Sequence, residues 1–380
     1  MDAMTVQEQS KTASAAAPLA RVVVIDGTAA DRRDVAAVLR GSYAVVPCAD
    51  ATEARQVLAS GPAPALILID EAVPPTGGAA LLRALRRQPE LAGVPVLATT
   101  AGPHSAFAVE AVALGATTVL HKPYPVRVLR KAMSGLLNSW VERRWDGLEP
   151  VQRSALKDTV AAFNSIAEAV SCHGEVPYEG IRSSCRPLVQ AVQNARYRDM
   201  LAGVRNHDDY TYVHSLRVAT FLTLLGHGVG LRDDDLLTLT SGGLLHDIGK
   251  IAIPLTVLNK PGRLDTAERS VMRTHVRRTM DLLLERSEVP RAVTIIAGQH
   301  HERPDGTGYP LGLAGSAINE LARMAAIADI FVALTDRRVY KPAMAAERAL
   351  GIMADMGRAI DQHLLGLFRE ILLDGIAAPA

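Results

Sequence analysis

The chain has few cysteines, no long apolar run and almost no net charge, and each absence excludes something. Three cysteines in 380 residues, Cys48, Cys172 and Cys185, show no metal-ligand or redox spacing. Ordinary packing in a reducing cytoplasm is the economical reading. No uninterrupted apolar run approaches the roughly 20 residues needed to cross a membrane. Residues 1–19 lack the basic start and apolar centre of a signal peptide and read as a disordered lead-in. Lys plus Arg number 41 against 40 Asp plus Glu, a net charge of +1. Nothing electrostatic therefore makes nucleic acid a main partner, and an anionic ligand must be met by local positive groups and metals.

What is present is apolar content: 48% of residues are hydrophobic and 21% charged, enough for two or three domains with their own cores. Residues 20–140 alternate short apolar runs with amphipathic ones. RVVVID and ALILID are strand-like and end in Asp26 and Asp70, VPVLATT and TTVLHK come after them, and RRDVAAVLR, ATEARQVLA and GAALLRALRR carry helical spacing between them. This pattern predicts a doubly wound α/β domain with a parallel sheet. The carboxyl ends of its strands would gather Asp26, Asp70, Thr100 and Lys122. Residues 141–195 read as a helical linker, pairing with its copy in a homodimer or packing on the C-terminal part of the chain. From residue 196 to 380 the segments keep helical periodicity and predict an all-α bundle.

In that bundle His214, His246, Asp247, His275, His300, His301 and Asp329 sit on successive apolar segments, one or two per segment. Helical bundles build interior dimetal sites in this way. Imidazole plus carboxylate suits iron, manganese or zinc, and seven such groups are too many for one tetrahedral ion. The adjacent His246-Asp247 pair allows the carboxylate to bridge two divalent ions. Lys250, about one helical turn after His246, would project to the same side and meet a phosphate as a point charge. In the 302–310 loop, Gly306 and Gly308 permit backbone angles other residues resist, and Tyr309 could stack on a nucleotide or pack the loop.

HDIGK at 246–250 and HHERPDGTGYP at 300–310, with His214-Ser215-Leu216-Arg217-Val218, Met272-Arg273-Thr274-His275 and Ile327-Ala328-Asp329-Ile330 in order, resemble the HD-GYP family of metal-dependent phosphodiesterases. The resemblance covers about 195–375. It implies hydrolysis of cyclic di-GMP to pGpG and/or GMP by a dimetal-activated hydroxide, with iron or manganese. His214, His246, Asp247 and Asp329 would hold one ion, and Asp247 would bridge to a second completed by His275, His300 and His301. Asp247 and Lys250 would be catalytic, and Lys250, Asp305, Gly308, Tyr309, Arg338 and Lys341 would contact substrate. Three positions depart from the family: Tyr210 replaces a glutamate that supports a third metal in some members, Met280 replaces a small residue, and Val339 replaces a proline. Two other readings stay open, a cyclic-dinucleotide binding effector with little turnover and a phosphodiesterase for a mixed cyclic dinucleotide such as cyclic GMP-AMP.

Residues 20–140 resemble the receiver domain of two-component response regulators. Asp70 stands at the phosphoacceptor position, Pro74 and Gly78 fall in the following loop, Thr100 matches the hydroxyl that contacts the phosphoryl group, and Lys122-Pro123 matches the paired lysine. The resemblance implies a sensor histidine kinase as partner and magnesium in an active receiver. The family ends its first strand with two acidic residues, where this chain has Asp26-Gly27, and its aromatic switch position is Val119. Phosphorylation at Asp70 and a receiver that serves only for dimerisation or docking are therefore both expected readings.

Overall fold

The computed structural model describes residues 20–39, 43–171, 177–204, 207, 210–258, 260, 262–284, 288–336 and 344–374. Residues 1–19, Cys172, Arg338, Val339 and Lys341 lie outside them, as does the side chain of Tyr210. The chain divides into two compact units, the first holding residues 1–144 with 206–208 and the second 145–205 with 209–380.

The first unit is the expected parallel sheet. Strands β1 (Arg21–Ile25), β2 (Ala44–Cys48), β3 (Leu66–Asp70), β4 (Val96–Thr100) and β5 (Thr118–His121) alternate with helices α1 (Ala29–Leu39), α2 (Ala51–Ala59), α3 (Gly78–Arg86), the short α4 (Pro89–Ala92), α5 (Ala106–Ala113) and α6 (Val126–Arg144). The strand order is β2-β1-β3-β4-β5, and every pairing is parallel. Because successive side chains of a strand point to opposite faces, Val23, Ile25, Ile67 and Ile69 join one core with Leu81 and Leu82. Val22, Val24, Leu66 and Leu68 join the other with Leu129 and Met133 of α6. Both faces being covered explains why β1 and β3 are apolar runs without polar alternation.

The second unit is helical: α7 (Pro150–Ser171), α8 (Tyr178–Ser184), α9 (Arg186–Gln193), α10 (Tyr197–Gly203), α11 (Tyr210–Gly228), α12 (Asp233–Leu245), the short α13 (Leu255–Leu258), α14 (Thr266–Leu284), α15 (Arg291–Gln299), α16 (Glu320–Thr335), α17 (Ala346–Asp355) and α18 (Gln362–Asp374). Of the 141–195 stretch read as a linker, residues 141–144 end α6 in the first unit and residues 145–195 lie in the second. Their helices α7 and α9 pack on each other and on α11, so they are part of this unit. Among the described residues, no helix is long and apolar enough to cross a membrane.

Three features of the bundle fix the end of α12. This helix opens on Asp233, Asp234 and Asp235, whose charge complements the helix N-terminus. It then lies so close to α11 that a Cβ on Gly243 would come 2.8 Å from the Ala219 Cα. Beyond His246 the chain tightens into a 3₁₀ turn, Ile248–Ala252, packed on α14.

Candidate metal centre

The end of α12 delivers His246 and Asp247, α11 delivers His214, α14 His275, the end of α15 His300 and His301, and α16 Asp329. All seven come together. One group of donor atoms, from Asp247, His275, His300 and His301, lies within 4.8 Å of one another, and a second, from His214, His246 and Asp329, does the same. Asp247 stands between the two. Its Oδ2 is 3.2 Å from His246 Nε2 and 3.4 Å from His214 Nε2, while its Oδ1 is 3.1 Å from His275 Nε2 and 3.9 Å from His300 Nε2. Asp329 spans the groups in the same way, with Oδ1 3.0 Å from His214 Nε2 and Oδ2 3.8 Å from His301 Nδ1.

Burial makes this arrangement costly unless a cation meets it. Asp247 and His246 are 0% exposed and His275 1%. His246 Nε2, His275 Nε2, His300 Nε2 and Asp247 Oδ1 close no hydrogen bond, despite the short approaches to the carboxylate. Buried polar atoms are nearly always partnered, and this cluster has the donor types and spacing that can hold a metal ion. The opposite edges of the rings are held. His246 Nδ1 donates to the Gly243 carbonyl at 2.7 Å, His275 Nδ1 to Met272 at 2.7 Å and His300 Nδ1 to Ala297 at 2.9 Å, which turns each Nε2 toward the cluster.

The electrostatics agree. Burial, reinforced by neighbouring imidazoles, pushes His300 well below the usual range. Burial likewise lowers His301 to about 3, although Asp329 opposes it. Both rings are thus neutral near pH 7, the form that ligates. Burial opposes ionisation of Asp247, yet Lys250, His246 and His275 outweigh it and hold the carboxyl well below its ordinary value. For His214 burial again works against charge, but Asp247, Asp329 and Asp336 prevail and raise it to about 10.

Around the cluster, Lys250 Nζ contacts Asp247 Oδ2 from the 3₁₀ turn. Tyr309 stacks on His301 with ring centroids 4.7 Å apart, and the Arg273 guanidinium lies 4.7 Å from the Tyr309 centroid. One loop expectation is corrected. Gly308 is needed for close approach, since a Cβ there would meet Arg303 N at 2.4 Å, whereas it is Gly306 that has a positive φ, 79°. Asp305 is exposed and closes its own turn, accepting from Thr307 N at 2.9 Å and Thr307 Oγ1 at 2.7 Å. Met280 packs over Gly298, where a Cβ would stand 3.0 Å from its sulfur; a larger residue at 280 is matched by the absence of a side chain at 298. The structure also shows roles unread in the sequence. Buried Glu302 accepts from Leu311 N at 2.6 Å and Leu313 N at 2.9 Å and so holds the loop. Its only sequence signal is an acidic residue directly after two histidines.

In the first unit Lys122 Nζ meets Asp26 at 2.7 Å, Asp70 at 2.7 Å and Asp31 at 2.6 Å. Burial works against its charge, but the three carboxylates hold the ammonium well above its usual range. Thr99, rather than Thr100, donates to Asp70, at 2.8 Å. Thr100 Oγ1 instead bonds the Gly102 carbonyl at 3.0 Å and lies 2.8 Å from His121 Nδ1. The register sets Thr99 opposite Asp70, and neighbouring strand residues face opposite ways.

Two family models match the chain, an HD domain over residues 198–364 and a response regulator receiver domain over 22–134. A cyclic di-GMP phosphodiesterase response regulator of Xanthomonas campestris pv. campestris is 32% identical over 298 residues, covering 78% of this chain and 72% of that protein. A cyclic di-GMP phosphodiesterase of Pseudomonas aeruginosa is 39% identical over 44% of this chain and 41% of its own length. A 3'3'-cGAMP-specific phosphodiesterase of Vibrio cholerae is 38% identical over 43% of this chain and 35% of its own. The chain thus spans less than half the length of the last two relatives.

Proposed function

Because the chain belongs to the HD-GYP family, among members that carry a receiver domain, we propose that it is a metal-dependent phosphodiesterase hydrolysing cyclic di-GMP to pGpG and/or GMP, with the receiver as its regulatory part. One observation carries this reading: buried His and Asp donors from five helices form two adjoining groups, and imidazoles of both approach the two oxygens of Asp247.

These residues fit two divalent ions. His214, His246 and Asp329, with Asp247 Oδ2, would hold one, and His275, His300 and His301, with Asp247 Oδ1, the other; the family resemblance favours iron or manganese. When bound, two such ions lower the pKa of a water and neutralise phosphoryl oxygens. The protein's own side chains do the rest. Burial keeps the His300 and His301 imidazoles neutral. Lys250 holds a point charge beside Asp247 that suits a phosphate oxygen. Tyr309, fixed between His301 and Arg273, offers a ring edge to a nucleotide.

In the receiver, Asp31 brings to Lys122 the second acidic side chain that Gly27 lacks. This supports a phosphoacceptor role for Asp70, with a sensor histidine kinase as partner in the cytoplasm. Transfer from a small phosphodonor, with Asp70→Asn as control, tests it.

The test of the whole reading is anaerobic purification, metal analysis by mass spectrometry, then incubation with cyclic di-GMP and, separately, 3'3'-cGAMP. Near two equivalents of metal, with pGpG or GMP formed from cyclic di-GMP and none by the His246→Ala/Asp247→Ala protein, is the expected result. Turnover of 3'3'-cGAMP alone would reassign the substrate. Metal bound with both dinucleotides recovered intact would sink the enzyme reading in favour of a binding effector.

A further inference from the structure

We infer that Asp336 is a positioning residue that fixes and strengthens His214 as a metal ligand, so that one of the two ion sites depends on a carboxylate outside the donor cluster. The inference rests on the proposed dimetal centre.

Three of the cluster's imidazoles, His246, His275 and His300, are oriented by a backbone carbonyl of their own helix, three residues earlier. That arrangement comes with the helix and carries no charge. At His214 a charged group takes part. The imidazole Nδ1 faces Asp336 Oδ2 at 3.3 Å, at the long end of a hydrogen bond, across 122 residues of sequence. Asp336 is 3% exposed and is the residue on which α16 ends, with ψ at 141°. The chain leaves the helix there, and the carboxylate lies against α11.

A second group pins that carboxylate. Arg217 Nη1 is 2.9 Å from Asp336 Oδ1, and Arg217 Nη2 donates to Thr335 Oγ1 at 3.0 Å. His214 and Arg217 are three residues apart on α11 and share a face. The guanidinium thus takes one oxygen and leaves the other for the imidazole. An ionised carboxylate only accepts hydrogen bonds, so its partner Nδ1 carries the proton. His214 Nε2 then faces Asp329 and Asp247, and it is the nitrogen that gives up its proton and offers a lone pair when a metal binds. A carboxylate behind a ligating histidine raises its donor strength, and removing such a partner typically weakens metal binding by about 10- to 100-fold.

Among the described residues, the site containing His214, His246 and Asp329 therefore carries a carboxylate support that the site of His275, His300 and His301 lacks. Asp336→Asn keeps the shape and removes the charge. In the full chain loaded with manganese, competition with a graded chelator should release one ion about 10- to 100-fold more readily and leave the second unchanged. The electron paramagnetic resonance signal should pass from that of a coupled pair to that of a single ion. Arg217→Lys, which keeps charge but not the fork, should weaken the same ion by less. Both ions held at unmutated affinity in Asp336→Asn would overturn the inference. So would loss of both together with a lowered unfolding temperature of the metal-free protein, which would mark Asp336 as structural. Should Asp336→Asn fail to fold, unmutated affinity at both sites in Arg217→Lys overturns it equally. An unmutated chain that takes up no manganese would instead remove the metal reading itself, and this inference with it.

Discussion

Gly249 lies against the backbone of His275: a Cβ at 249 would stand 2.2 Å from the His275 carbonyl oxygen. Gly249 N also donates to Thr279 Oγ1 at 2.9 Å. The turn after Asp247 is thereby seated on the helix that supplies His275, which sets the separation of two ligands from different elements. Gly249→Ala should push the turn away, with overpacking costing about 1–3 kcal/mol. Urea unfolding of the metal-free protein should read that loss, and metal content should fall with it. Unchanged stability and full metal content would show that the turn tolerates displacement.

The raised pKa of His214 gives the metal-free protein a pH dependence. Its folded value, about 10, exceeds the ordinary 6.5. The stabilisation from its carboxylate partners is thus fully present below the unfolded pKa and is lost as pH rises through the folded one. Metal-free protein should lose stability between about pH 6.5 and 10, and His214→Gln should flatten that slope. Metal uptake near pH 7 should release a proton, because the ligating form is neutral. Calorimetric titration in buffers of different ionisation enthalpy checks this; a heat independent of buffer would contradict it.

Gly27 cannot simply be exchanged for the acidic residue usual in receivers. A Cβ there would come 2.8 Å from the Ala72 carbonyl oxygen and 3.0 Å from Pro74 Cδ. Gly27→Asp should destabilise the first unit by about 1–3 kcal/mol, read by urea unfolding. A neutral or stabilised variant would mean that the loop yields freely.

Glu302 should govern the order of the loop ending in Tyr309-Pro310. Glu302→Ala leaves Leu311 N and Leu313 N without their acceptor, at about 1–3 kcal/mol. Hydrogen exchange at these two amides should rise at least about tenfold, whereas exchange within α11 stays as it was. Equal protection in both proteins would assign the loop's order to other contacts.

The sequence by itself determined the alternating β and α pattern of residues 20–140, the helical character of the remainder and the seven metal-ligand candidates. Apolar periodicity is imposed locally by which face is buried, and few side chains other than His and Asp serve such a centre. Which threonine reaches Asp70 needed the strand register. That residues 145–195 belong to the second unit needed the packing of α7 and α9 on α11. The carboxylate behind His214 lies 122 residues away and the third partner of Lys122 lies 91 residues away. Such contacts leave no periodic trace, because nothing local distinguishes Asp336 or Asp31 from a solvated acid until the chain folds around it. Tertiary structure alone decided them, by burying charges that must then find partners.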